Sequence, residues 1–163
     1  MKKFKGSVII NKPVKVVSEM FLDPSNLEYY QDGFIRKDPI LGDIGQEDSL
    51  SRMYYKVGRK NVMVEETVLI NKLPESLVLL YHSRNIDKMM KCSFVEIDEQ
   101  TTRFEYEYEY IRVSWYLPRL KFILFPNSYK KRGDKWNRQF KDFVENSWLL
   151  LEMTQVISFF VLF

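Results

Sequence analysis

Residues 104–111 read FEYEYEYI: Phe104, Glu105, Tyr106, Glu107, Tyr108, Glu109, Tyr110, Ile111. Aromatic and acidic side chains alternate without a slip. Successive side chains of a strand point to opposite faces, so the stretch predicts a strand with one face of rings and one of carboxylates. The carboxylates belong in water, because like charges spaced roughly 6.6 Å apart along a strand would repel one another in a dry site. The rings face inward. A packed core is ordinarily built from Val, Ile and Leu, which carry no hydroxyl to satisfy. A row of tyrosines instead suggests the wall of a cavity.

The segments before this one share its short period. GFIRKDPIL, DSLSRMYYKV, NVMVEETVLIN, SLVLLYHSRN and MMKCSFVEID read as strands, separated by turns such as GDIGQE and KLPE. Short turns between consecutive strands imply antiparallel neighbours in a meander. KFKGSVII, residues 3–10, is a further strand at the start. Asn11-Lys12-Pro13 then opens a helix with an apolar stripe of Val16, Val17, Met20 and Phe21, and Asp23-Pro24 starts a second, short one. After Trp115 the period changes. Trp136, Phe140, Phe143, Val144 and Ser147 fall on one face of a helix, and Leu120, Phe122, Ile123 and Leu124 suggest an earlier helical stretch restarted at Pro126. The fold class is therefore α+β. A curved antiparallel sheet of about seven strands wraps a long C-terminal helix, with two short helices after the first strand: the helix-grip architecture.

A chain of 163 residues is long enough for one domain with a real core. That domain is expected over 1–146, with an apolar tail of separate status at 147–163. A hydrophobic content of 45% and a charged content of 29% are those of an ordinary globular chain, and the net charge of +3 is too mild to argue for nucleic acid. The rings stand out: 12 Phe, 10 Tyr and 3 Trp. A single cysteine, Cys92, excludes an internal disulfide framework and suggests a reducing compartment, so a cytoplasmic location is expected. The opening MKKFKGSVII has basic residues but no long apolar run behind them, unlike a signal peptide. The ending WLLLEMTQVISFFVLF is apolar but interrupted by Glu152, Thr154, Gln155 and Ser158. A spanning helix needs about 20 predominantly apolar residues. A packed helix end or an extension is expected, with membrane contact the lesser alternative.

The order INKPVKVV…DPSNL…GF…GDIGQ, then EETV…LPE…TT, then KW…FKDFVE resembles the SRPBCC superfamily. That is the START-like group that includes the birch-pollen-allergen fold and proteins of polyketide cyclase/dehydrase type. The resemblance spans about Phe4 to Glu145 and rests on structural motifs rather than catalytic ones. It implies a deep apolar cavity used for a lipid, sterol, polyketide or other hydrophobic small molecule. Two features depart from the pattern. Gly133-Asp134 is expected to interrupt the C-terminal helix, where glycine costs about 1 kcal/mol relative to alanine, and the tail after Asn146 lies outside it.

Glu66 is the first candidate for chemistry. In VMVEETVLI one face reads Val62, Val64, Glu66, Val68, Ile70, an apolar row broken by a carboxylate. Such a charge costs several kcal/mol in a dry cavity unless it finds a partner or takes up a proton. Two readings stay open: Glu66 faces a ligand as hydrogen-bond acceptor or general acid/base, or it pairs with a nearby tyrosine, Lys or Arg. Tyr106, Tyr108 and Tyr110 supply the expected wall, joined by Tyr55, Tyr81 and Phe94, with ordinary core packing as the alternative. His82, the lone histidine, shares a face with Leu80 and Arg84, opposite Tyr81. With one His and one Cys, no metal cluster of the usual His/Cys kind can form, and no cofactor or metal is expected. No G-x-S-x-G elbow or phosphate-binding loop occurs. The basic run YKKRGDKWNR reads as the solvated face of a helix, with attraction to an anionic lipid or nucleic acid as the lesser alternative.

These readings favour a binding or carrier protein for a hydrophobic small molecule, with oligomeric state undetermined. The alternative is a cyclase- or dehydratase-type enzyme that uses the same cavity with Glu66 as acid/base. A third reading, an interaction module, would be marked by an interior too filled to take a ligand.

Overall fold

In the computed structural model, which describes residues 2–114, 120 and 123–161, short-range chemistry sets the first elements. Strand β1 (Lys2–Ile10) leads to helix α1 (Val14–Leu22), with Pro13 at its N-cap. Asp23 then accepts a hydrogen bond from the Ser25 N–H at 2.9 Å and starts a 3₁₀ turn, Pro24–Asn26, that runs into helix α2 (Leu27–Tyr30). The strands β2 (Phe34–Leu41), β3 (Leu50–Val57), β4 (Lys60–Lys72), β5 (Ser76–His82), β6 (Ile86–Asp98) and β7 (Thr101–Val113) follow, and helix α3 (Pro126–Val161) ends the series.

The strands form one antiparallel sheet in the order β1-β7-β6-β5-β4-β3-β2. The meander runs from β2 to β7, and β1, first in the chain, closes on the far side of β7. The FEYEYEYI row fixes this register: Phe104 lies opposite Val8 and Phe94, and Tyr106 opposite Gly6 and Cys92. Gly6 is required there, because a Cβ would stand 2.4 Å from the Tyr106 hydroxyl oxygen.

Sheet, α1 and α3 enclose a core in which Phe104, Phe140, Ile10, Val17 and Val144 have no exposed surface. Rings dominate its centre. Phe94 stacks on Phe104 at 4.8 Å, and Phe21 meets Phe94, Phe104 and Phe140 at 5.1–5.4 Å. The acidic face of β7 does not stand free in water: Lys5 pairs with Glu107 at 2.9 Å, Lys3 with Glu109 at 3.1 Å, and Arg103 with Glu105 at 2.7 Å.

The expected interruption at Gly133-Asp134 does not occur. Helix α3 passes through both residues. Glycine is there because the Tyr108 ring lies against the helix, and a Cβ on Gly133 would be 2.7 Å from its Cε2. Helix propensity alone favours alanine at such a site by about 1 kcal/mol, but overpacking a buried ring costs about 1–3 kcal/mol. Gly133→Ala is therefore expected to lower the urea midpoint rather than raise it.

The helix also crosses residue 146 unbroken. The side chains of 148–163, and with them the expectation for the apolar tail, lie outside the described residues, as does Phe122 of the earlier helical stretch. Among the described residues, no helix is long and apolar enough to cross a membrane.

Candidate ligand site

Two bulges decide which side chains face the interior. Along β4, alternation points Glu66 inward with Val68, opposite Ser51 of β3 and Tyr81 of β5. A register shift between Val68 and Ile70 then turns Ile70 out of the row, leaving it 38% exposed. In β2 a shift between Phe34 and Arg36 changes the phase, so Phe34 and Lys37, three residues apart, both face inward. Lys37 reaches across β3, and its Nζ donates to Glu66 Oε1 at 2.5 Å. Their side chains are 8% and 6% exposed, so this is a buried ion pair.

The pair lines a cavity of about 30 Å³ between the short helices and strands β2, β4 and β5, together with Phe21, Tyr30, Leu79 and Tyr81. A water occupies about 10–15 Å³ on this measure, so one or two fit. Among the described residues, the rings of Phe21, Tyr30, Phe94, Phe104 and Phe140 pack against one another beside this small cavity. Burial pushes the phenols of Tyr30, Tyr55 and Tyr81 well up, and the charge of Glu66 adds to it. All three stay protonated and can donate. Tyr55 already does, to Gln31 Oε1 at 2.5 Å.

A second cation stands nearby. The Lys88 Nζ lies 4.8 Å from the ring centre of Tyr81, 5.1 Å from that of Tyr108 and 6.0 Å from that of Trp136. Ring faces attract an ammonium by about 0.5–2 kcal/mol. Loss of water outweighs this and, with Arg132 alongside, lowers the Lys88 pKa to about 8 even though Glu66 opposes the shift.

The remaining sequence candidates are dispersed. Phe94 lies in the aromatic core, 3% exposed. Tyr106 donates to Asp134 Oδ1 at 2.9 Å, and burial pushes its phenol up to about 12. Tyr108 meets the Asn137 side-chain amide at 3.2–3.3 Å. Tyr110 is half-buried near the end of β7, between β1 and β6, with its ring in T-shaped contact with Phe4 at 5.9 Å. The ring face of FEYEYEYI thus serves mainly to hold α3, while Glu66, Tyr55 and Tyr81 gather around the ion pair. His82 is exposed and pairs with Asp87 at 2.7 Å. Cys92 is buried, its thiol pushed up by burial alone. Among the described residues, no group of three metal-ligating side chains exists.

Sequence reasoning passed over Lys37, Tyr30 and Lys88. Lys88 was findable, since it shares the alternating face of Met90, Cys92 and Phe94. Lys37 was not, because the bulge that turns it inward has no mark in FIRKDPIL.

No family model matches the sequence, and no curated protein matches it. Solved structures do. The fold is similar to the Zhui aromatase/cyclase of Streptomyces sp. R1128, with a TM-score of 0.72 at 8% identity over 89% of this chain and 94% of that one. It is similar to a conserved protein of Geobacillus kaustophilus, with a TM-score of 0.72 at 15% identity over 90% and 97%. It is also similar to Ara h 8.0201, with a TM-score of 0.69 at 9% identity over 88% and 97%.

Proposed function

We propose, for a chain that has the SRPBCC, polyketide-cyclase-like fold, that it binds a hydrophobic small molecule bearing a polar group, seated between the sheet and the helices α1 and α2. The supporting observation is the buried Lys37–Glu66 pair on a cavity fringed by phenols. Such a pair is rarely a net source of stability, since well-packed apolar residues in its place are neutral or better by about 1–4 kcal/mol. A core built only to fold would not keep it. The apolar skeleton of the ligand would rest on Phe21, Val68 and Leu79, and its polar group would meet the Tyr30 and Tyr81 hydroxyls or the ion pair itself. Ligand sites ordinarily measure about 300–1,000 Å³, so binding requires Phe21 and Tyr30 to swing aside on their short helices.

Native mass spectrometry on gently purified protein tests this. A discrete hydrophobic species at near-stoichiometric occupancy supports the proposal. Empty protein that takes up no fluorescent lipid or polyphenol probe overturns it. Tyr81→Phe should keep the fold and weaken probe binding about 3–10-fold, the worth of one hydrogen bond. Two further readings each have an observation in their favour. The juxtaposition of Glu66 and Tyr81 across β4 and β5 suits proton transfer; a cyclase-type enzyme would lose turnover in Glu66→Gln while still taking up ligand. The filled interior suits an interaction module, and that reading gains if the protein stays empty.

A further inference from the structure

We propose that Lys88 is an imine-forming site, whose amine condenses with an aldehyde carried on an apolar or aromatic group held against Tyr81, Tyr108 and Trp136. Three ring faces lie within 6.0 Å of its Nζ, and no carboxylate forms an ion pair with it among the described residues. A lysine so placed is part-buried and lined by ring faces that suit the rest of the aldehyde. The groups facing it are Tyr81 from β5, Tyr108 and Tyr110 from β7, Arg132 and Trp136 from α3, and Glu66 from β4. Of the charged ones, Arg132 disfavours the ammonium and Glu66 favours it. Lys88 does not line the Glu66 cavity, although Tyr81 borders both, and labelling of Lys88 is read independently of uptake by that cavity.

The chemistry balances without an added oxidant or reductant. The neutral amine adds its lone pair to the carbonyl carbon, giving a carbinolamine. The carbinolamine loses its hydroxyl and the remaining N–H proton as water, and a C=N bond forms. Aldehyde and amine become imine and water. With a pKa of about 8 against the ordinary 10.5, Lys88 carries about 300-fold more free amine at neutral pH than an ordinary lysine, and desolvated lysines of this kind are known nucleophiles. The lower basicity weakens each attack, so tens-fold faster reaction is expected.

The test uses 3-phenylpropanal with sodium cyanoborohydride on the intact chain, with the alkylated lysines mapped by peptide mass spectrometry. The expected result is modification of Lys88 tens of times faster than of the exposed Lys56 and Lys60, with a rate that rises through a midpoint near pH 8 because the free amine is the reacting form. Glyoxylate, a polar aldehyde, should show much less preference for Lys88. Lys88→Arg should remove the fast phase while leaving the far-ultraviolet spectrum unchanged. If that variant does not fold, the wild-type ratio of Lys88 to Lys56 and Lys60 decides the matter alone. Modification of Lys88 at the rate of those two lysines, or none at all, overturns the proposal. Probe uptake by the cavity is read separately, so neither result can be mistaken for the other.

Discussion

Lys37→Met is expected to destabilise the protein by about 3–5 kcal/mol, because it leaves the Glu66 carboxylate buried without its counter-charge. Glu66→Leu should cost a similar amount for the mirror reason. With side chains 8% and 6% exposed, neither charge can turn to water without opening the sheet. The double variant K37M/E66L should regain most of the loss, and could match or exceed the parent, since apolar replacement of a buried pair is often neutral or stabilising. Urea unfolding of the four proteins gives the coupling energy directly. A double variant as unstable as the sum of its parents would mean that the 2.5 Å contact contributes nothing to the native state. The same series separates stability from binding: the double variant should fold well and take up ligand poorly, the pattern expected where a charge pair is kept for recognition.

Phe21→Ala carries the second large effect, with opposite signs in two measurements. The Phe21 ring touches those of Tyr30, Phe94, Phe104 and Phe140 and also lines the small cavity beside Glu66. Its removal should cost about 3–5 kcal/mol, the usual range for deleting a core phenylalanine. The void would join the existing 30 Å³ and leave it next to the ion pair. Uptake of a fluorescent hydrophobic probe should therefore rise as stability falls, and a saturating ligand should restore part of the lost thermal midpoint, as preferential binding to the native state demands. A variant that loses stability without gaining uptake would place the ligand elsewhere or nowhere.

Much of the architecture was legible because the chain states its periods plainly. Alternation in FEYEYEYI and its neighbours, short turns between them, and the face of Trp136, Phe140 and Val144 together specify a meander on a long helix, and that is the observed fold. The site was less legible, for two physical reasons. Alternation holds only between bulges, so Glu66 could be placed inward while Ile70 and Lys37 could not. Periodicity also says which face a ring occupies but not what its hydroxyl finds. Tyr106 and Tyr108 looked like a cavity wall, yet their hydroxyls meet Asp134 and Asn137 of α3. The glycine that seemed to break that helix is the space one of those rings needs.

Those two tyrosine contacts also protect the sheet against misalignment. Tyr106 and Tyr108 stand two residues apart on a strand, about 6.6 Å, and their partners Asp134 and Asn137 stand three apart on a helix, about 4.5 Å. The two spacings are close enough for both hydroxyls to be engaged at once. If β7 slid by one residue against its neighbours, every side chain would exchange faces. Glu105, Glu107 and Glu109 would then turn toward the core rings and the half-buried Asp134, and Lys3 and Lys5 would be left facing tyrosines. The strict alternation is thus a proofreading device: one alignment satisfies two hydroxyls and three carboxylates, and the nearest wrong one buries carboxylates against rings and takes them from their lysine and arginine partners.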